Sequence, residues 1–171
     1  MGAQPATVLE TERLTFRLLR MDDLDRLYAL YRDPEVRRYF PEGTLTHEQT
    51  RDELEWIIDV SYRRYGFGLW ATTDRETGEL IGRCGLIPWT IDGRDEVEVA
   101  YLLARDRWGR GLATEAASAI LRYGFEQLRL TRLVCLVDPE HLTSRRVAEK
   151  IGMTLERVGE IEGALTALYS T

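Results

Sequence analysis

Cysteine, histidine and long apolar runs are scarce in this 171-residue chain. Its two cysteines, Cys84 and Cys135, both stand inside apolar stretches, which is typical of buried thiols in a reducing cytoplasm and not of a disulfide framework. Of its two histidines, His47 has no partner at the spacing of metal ligands. The sequence therefore predicts reduced cysteines, a cytoplasmic location and no bound metal.

Membrane and targeting signals are missing as well. No apolar run approaches the ~20 residues needed to cross a bilayer, and the first ten residues, MGAQPATVLE, carry neither a basic nor an apolar signal region. Linkers, internal repeats and low-complexity tracts are also lacking, while 44% apolar residues suffice for one hydrophobic core. We therefore predict a single domain over residues 1–171, with a flexible segment at 1–9 and no contact with membranes.

The chain has no excess of positive charge. Twenty-three Lys and Arg stand against 29 Asp and Glu, which gives a net charge of -6. A negative net charge disfavours non-specific binding to nucleic acid, and it suits a cationic or amine partner. We therefore expect no nucleic-acid partner.

Apolar periodicity predicts strands and helices in alternation. RLTFRLL alternates like a strand, and helical patterns follow at 21–31 and at about 46–65, with a loop at 36–45. Turns separate FGLWATT, LIGRCGLIPWTI and EVEVAYLLA, which predict an antiparallel meander of three strands. A long helix begins after Gly111, and the chain closes with strand RLVCLV, a further helix and strands MTLERVGEI and ALTALYS. This order indicates an α/β or α+β fold in which helices cover a mostly antiparallel sheet.

The motif WGRGLA lies between strand EVEVAYLLA and the long helix. The first amides of a helix have no intrahelical partners, and glycines at Gly109 and Gly111 let an anion approach the main chain closely. The motif is neither a Walker loop nor a dinucleotide fingerprint. Taken alone, it leaves two interpretations open, a phosphate site or glycines that serve only the turn and helix packing.

Four stretches together are more specific than the turn: ETERLTFRLL, GELIGRCGL, VEVAYLLARDRWGRGLATEAA and VDPEHLTSRRVAEKIGM. They resemble the RimJ/RimL-type branch of the GNAT acetyltransferases, and the resemblance spans nearly the whole chain. It implies the GNAT fold, a mostly antiparallel central sheet of six to seven strands with about four helices on both faces. It also implies acetyl-CoA as co-substrate and a V-shaped split between the fourth and fifth strands, here Glu96–Ala104 and Arg132–Val137.

The resemblance implies where acetyl-CoA would lie. In the superfamily, a Gln/Arg-x-x-Gly-x-Gly/Ala turn binds the diphosphate, and the pantetheine arm adds like a strand in the split. Trp108 departs from the Gln or Arg of that motif, although a Trp-Gly-x-Gly start is habitual in the RimJ/RimL-like branch. The implied cofactor-binding residues are Tyr101, Leu102, Leu103, Trp108, Gly109, Arg110, Gly111, Leu112, Ala113, Thr114, His141 and Ser144.

Two catalytic residues are implied. Glu98 matches the family's general base, and Glu96 on the same strand face is expected to raise its pKa by charge repulsion; the alternative is a solvated strand face. Ala148 stands where many members have the tyrosine that protonates the leaving thiolate, so Ser144 becomes the candidate, with a helix cap as its alternative. His141 replaces the branch's asparagine, which puts its contacts with the pantetheine arm in doubt.

The acceptor is the least determined part of the site. The resemblance places Tyr39, Phe40, Trp89 and Glu96 at the substrate, although such aromatic residues also serve packing. The expected reaction acetylates a primary amine, either a protein N-terminus such as that of a ribosomal protein or a small-molecule amine. The alternative function is a non-catalytic acyl-CoA-binding or regulatory module, and a homodimer is left open.

Overall fold

An eight-stranded sheet runs through the computed structural model, which describes residues 6–171. The strands are β1 (Thr7–Glu10), β2 (Leu14–Arg17), β3 (Leu69–Asp74), β4 (Leu80–Ile91), β5 (Arg94–Leu103), β6 (Val134–Val137), β7 (Thr154–Ile161) and β8 (Ala164–Ser170). The helices are α1 (Leu24–Tyr31), α2 (His47–Trp56), α3 (Tyr62–Tyr65), α4 (Leu112–Glu126) and α5 (Leu142–Lys150). A π-helical turn, Ile57–Ser61, joins α2 to α3, so the segment predicted as one helix is continuous.

The strand order is β1-β2-β3-β4-β5-β6-β8-β7, and every neighbouring pair is antiparallel except β5 with β6. The predicted meander is confirmed in β3, β4 and β5, which pair in sequence. Between β5 and β6 a single residue pair is in register, Glu98 with Val134. The sheet is therefore split at this point, as the GNAT fold requires.

The strand count is higher than predicted. Residues 7–9 were expected to be flexible, but Thr7–Glu10 forms β1 and pairs with β2. That prediction is wrong for 7–9, because the antiparallel pairing satisfies backbone groups that a free segment would leave to water. Residues 1–5 lie outside the described part of the chain.

Helices cover both faces of the sheet, as predicted. The apolar stripe of α4 packs with α5 on one face, against core residues of β3, β4 and β5 such as Trp70 and Val99. The apolar sides of α1 and α2 pack on the other face, around Leu27, Leu54 and Leu102. Cys84 and Cys135 are buried free thiols, as predicted. Within residues 6–171, no helix combines the length and hydrophobicity that crossing a membrane requires.

Candidate active site

The turn before α4 is built for free backbone amides. Gly109 and Gly111 have φ of 70° and 75°, a left-handed conformation that side chains other than glycine rarely adopt. The helix begins immediately afterwards, and the amides of its first residues, Leu112, Ala113 and Thr114, have no hydrogen-bond partner within residues 6–171. Three adjacent donors at the positive end of a 15-residue helix form a site for an anion.

The turn between β1 and β2 holds the turn before α4 in place through the carboxylate of Glu115. Thr11 Oγ1 donates to it at 2.6 Å, and the backbone amide and the Nε of Arg13 donate at 2.9 and 2.7 Å. The same guanidinium donates from Nη1 to the carbonyl of Arg110 at 2.8 Å. These contacts lower the pKa of Glu115, although burial opposes them. The turn between the first two strands therefore fixes the turn that presents the amides.

Removing this carboxylate is expected to weaken both the fold and the turn. Glu115→Ala deletes several hydrogen bonds to a charged group, so we expect the free energy of unfolding to fall by about 1–3 kcal/mol. We also expect the Kd of coenzyme A, measured by calorimetry, to rise several-fold. Glu126→Ala, at the exposed last position of α4, is the matched control. Equal effects of the two variants would contradict the role of Glu115 in holding the turn.

Trp108, Arg107 and Arg110 make different contacts around the turn. The indole of Trp108 donates to the carbonyl of Leu103 at 2.9 Å and ties the turn to the end of β5. Arg107 is bound by Asp74 and Glu79 at 3.0 and 2.7 Å, so its charge is already paired. The side chain of Arg110 is exposed beside the free amides.

Glu98 lies at the split, and its environment favours a base that works near neutral pH. Its side chain is partly buried, and this desolvation raises its pKa to about 7. The indole Nε1 of Trp89 donates to Glu98 Oε2 at 2.7 Å and, with the Leu136 backbone amide and Arg83, opposes the rise. The solvated strand face considered from sequence is therefore wrong for Glu98.

Glu96 is paired with an arginine, although it was expected to act on Glu98 by charge repulsion. Its carboxylate accepts from Nε of Arg132 at 3.0 Å, and the other nitrogens of that guanidinium bind Glu156 on β7. The expected repulsion between Glu96 and Glu98 is wrong, because the pKa of Glu98 is raised by burial and Glu96 is neutralised by Arg132. Glu96 thus joins β5 to the far side of the split, and its predicted contact with substrate stays a prediction.

Ser144 has a partner that the sequence did not reveal. Its Oγ donates to the phenol oxygen of Tyr101 at 3.1 Å, while the phenol donates to the Ser144 carbonyl at 3.0 Å. Burial raises the pKa of Tyr101, so the phenol keeps its proton at neutral pH. Tyr101 was expected to contribute to cofactor binding only. The structure places two hydroxyl groups together where the sequence offered one.

Glu98 and the hydroxyl pair lie on opposite faces of β5. Successive strand residues point to opposite faces, so positions 98 and 101 differ in face. Glu98 shares its face with α1 and α2, and Tyr101 faces α5. A molecule held in the split would therefore meet a carboxylate from one side and two hydroxyl groups from the other.

The loop at 36–45 contacts the start of α5 through an aromatic pair. The ring of Tyr39 stacks on that of His141, with centroids 4.1 Å apart and planes 13° apart. Burial lowers the pKa of His141, which favours the neutral ring. The guanidinium carbon of Arg37 lies over the ring of Phe40, 4.1 Å from the ring centroid. Tyr39 and His141, predicted for different ligands, are thus brought together.

Five of the predicted residues are placed by the strand and helix that carry them. Leu102 and Leu103 are buried at the end of β5, and Leu112 is buried at the start of α4. Ala113 and Thr114 are partly exposed there, beside the free amides. Among residues 6–171, no group of His, Cys, Asp and Glu has the arrangement of a metal site.

Comparison with known proteins identifies the family. The sequence profile of the Acetyltransferase (GNAT) domain matches residues 13–154. The chain is 39% identical over 148 residues to YkkB of Bacillus subtilis (strain 168), which covers 86% of this chain and 85% of YkkB. It is 35% identical over 150 residues to the N-acetyltransferase p20 of Bacillus licheniformis, with 86% and 83% covered.

A solved acetyltransferase structure matches this chain over its whole length. The acetyltransferase from Agrobacterium tumefaciens str. C58 superimposes with a TM-score of 0.84 at 30% identity, which covers 100% of this chain and 96% of that one. Its sheet and helices correspond to those described above. With the profile match over most of its length and these relatives, the chain belongs to the GNAT family of acetyltransferases.

Proposed function

We propose that this protein transfers an acetyl group from acetyl-CoA to a primary amine, by direct attack in a ternary complex, as a member of the RimJ/RimL-type branch. The observation that carries the proposal is Glu98, a carboxylate at the split of the sheet with a pKa raised to about 7. An amine must be neutral to attack, and a base with this pKa accepts its proton at physiological pH.

The turn before α4 and the first residues of α4 fit the diphosphate of acetyl-CoA. The free amides of Leu112, Ala113 and Thr114 supply donors, and the left-handed glycines leave the approach open, since a Cβ at Gly109 would meet nothing within 4 Å. The unpaired edges of β5 and β6 fit the amide groups of a pantetheine arm. Bound there, acetyl-CoA supplies the activated thioester.

Protein groups would then handle two protons. Glu98, held by Trp89, accepts the proton of the amine from the face covered by α1 and α2. The departing thiolate needs a donor from the other face, where the Tyr101 phenol and the Ser144 hydroxyl already share hydrogen bonds. The Ser144 hydroxyl donates to the phenol oxygen, so it would stabilise the phenolate that remains when Tyr101 gives its proton to the sulfur. We assign the pair as a unit, in place of Ser144 alone.

A double-mutant comparison tests this pair. Tyr101→Phe and Ser144→Ala are each expected to lower kcat by about tenfold or more, since general acids contribute 10²- to 10⁴-fold in all. The double variant should lose little more than the worse single variant, because groups acting as a unit are not additive. Steady-state kinetics measure this. Independent, multiplying losses would contradict the shared role.

The second candidate function is a module that binds acyl-CoA without catalysis. His141 in place of asparagine and Ala148 in place of tyrosine are the observations that favour it. A thiol-release assay with acetyl-CoA against polyamines, amino acids and N-terminal peptides separates the two. If coenzyme A raises the melting temperature while no acceptor releases thiol, the module is the correct function.

A further inference from the structure

A buried cluster of charge lies on the acceptor side of the sheet. Arg83, in the middle of β4, is 4% exposed, and its Nε donates to the hydroxyl of Tyr31 at 2.9 Å. That hydroxyl donates in turn to Glu53 on α2. The guanidinium carbon of Arg83 lies over the rings of Tyr31 and Phe40, 5.6 Å from each ring centroid. Arg83 is thus fixed in orientation from one side only.

The opposite edge of this guanidinium is free. Neither Nη1 nor Nη2 of Arg83 has a hydrogen-bond partner within residues 6–171, yet neither is fully enclosed by protein. A buried cation with unused donors is costly unless a ligand or water completes it. The pair of parallel N–H groups on this edge matches the two oxygens of a carboxylate.

Arg83 and Glu98 lie on the same face of the sheet. Ile87 is four residues from Arg83 along β4 and therefore on the same face, and it pairs directly with Glu98 on β5. The two charges also act on each other, because Arg83 opposes the rise in the pKa of Glu98. The free donors of Arg83 therefore belong to the side from which the amine would approach.

The local charge favours an anion. Arg37, 3% exposed, is a second buried cation, and burial together with the closeness of Arg83 lowers its pKa. The anions that face the two arginines are Glu53, which is partly buried, Glu42, which is 65% exposed and 3.3 Å from Arg37, and Glu98, whose pKa is raised to about 7. Since Glu42 is largely solvated and Glu98 is only partly ionised near pH 7, the buried cluster keeps an excess of up to roughly one positive charge. One negative charge would balance it, which suits a carboxylate better than a doubly charged phosphate.

We propose that the acceptor is a small amine that also carries a carboxylate, an amino acid, whose acid group is bound by the free edge of Arg83 while its amine lies at Glu98. The inference rests on the proposed function and narrows its acceptor. Polyamines, which are cationic throughout, and peptide N-termini, which lack the acid group, are the excluded acceptors. The net negative charge of the whole chain does not decide this, because the local cluster has the opposite sign.

The test compares acceptors that differ only in the acid group. Steady-state acetylation is measured for the standard α-amino acids, β-alanine and γ-aminobutyrate, each beside its carboxamide, with spermidine and an N-terminal tripeptide amide added. We expect kcat/KM to favour the acid over its amide by tenfold or more in at least one pair. The inference is overturned if the amide is as good in every pair, or if spermidine or the peptide exceeds every acid.

Variants of Arg83 assign the preference to this residue. Arg83→Gln should lower the ratio of acid to amide by about tenfold to 100-fold, since hydrogen bonds to charged groups are worth this much. The ratio is compared because the loss of Arg83 also changes the pKa of Glu98, which affects both acceptors alike. Arg83→Lys, which keeps the charge and loses the paired donors, should retain part of the preference and guards against a folding defect. Arg157→Gln, on the distant β7, is the control. An unchanged ratio in both Arg83 variants overturns the inference.

Failure of the proposed function is recognised separately. If coenzyme A binds and no acceptor is acetylated, the enzyme proposal fails, and the acid site is then tested by binding alone. Calorimetric titration of the same acids and amides into the protein saturated with coenzyme A should still detect acids, and Arg83→Gln should lose them. Equal binding of acids and amides overturns the acid site.

Discussion

Glu98→Gln is expected to lower kcat by about 100- to 1,000-fold, because it removes the group that accepts the amine's proton and keeps the size of the side chain. In the unmodified enzyme, kcat/KM should rise with pH and level off above about 7, the pKa to which burial raises Glu98. This limb should disappear in the variant. A pH–rate profile from 5.5 to 9 measures both effects. A limb that persists in Glu98→Gln would assign the base to another residue.

The same substitution should change stability in the opposite direction. Because the folded pKa of Glu98 lies above its ordinary value of 4.5, the folded state holds more protons than the unfolded state between these pH values. Stability from this group is therefore lost as pH rises from about 4.5 to about 7, and the loss levels off above that pH. Glu98→Gln should melt at a higher temperature than the unmodified protein at pH 8, with the advantage gone near pH 4. Activity and stability are opposed at this residue, as expected of a catalytic group.

Gly111→Val is expected to raise the Kd of coenzyme A by more than tenfold. A valine at φ 75° costs at least ~1–2 kcal/mol, and its strain is relieved only if the turn rearranges, which moves the amides of Leu112, Ala113 and Thr114. The new Cβ itself has room, since its nearest neighbour is Arg13 Nη2 at 3.7 Å. The backbone conformation is therefore what the substitution tests. Calorimetry with coenzyme A gives the affinity.

Gly163→Val is the matched control for this experiment. Gly163 lies in the turn between β7 and β8 with φ of 79°, and a Cβ there would meet nothing within 4 Å. It imposes a comparable backbone strain far from the site, so the two variants should lose similar stability. Only Gly111→Val should lose affinity. Equal affinities in both variants would show that the diphosphate does not bind at the start of α4.

The sequence predicted the elements of the fold well, because they depend on local pattern. The three-residue and four-residue spacing of apolar side chains in α4 and the alternation in the meander follow directly from geometry. Thr7–Glu10 escaped prediction, since four residues with exposed ends carry little periodicity and gain their order from β2. The interruption of backbone pairing between β5 and β6 could be predicted only from the family resemblance.

The site was predicted less completely, since its contacts join distant residues. Glu98 was found, but the origin of its pKa is burial at the split, which no local pattern expresses. Tyr101 meets Ser144 across 43 residues, and Arg13 meets Glu115 across 102. The only signal for Arg83 was a charged residue inside an apolar strand, LIGRCGLIPW, which is unusual enough to be a marker.

The split has a consequence for solubility. A strand edge with unpaired backbone groups invites another chain to pair with it, and the outer edges of this sheet are protected by a short strand, β1, and by the charged side chains of Glu156, Arg157 and Glu160 on β7. The edges of β5 and β6 have no such protection, but they lie inside the sheet, between α4 and α5 on one face and the helices of the other. A partner that pairs with these edges must enter as a single extended chain. We therefore expect the split to admit an extended ligand more readily than a strand of a second copy.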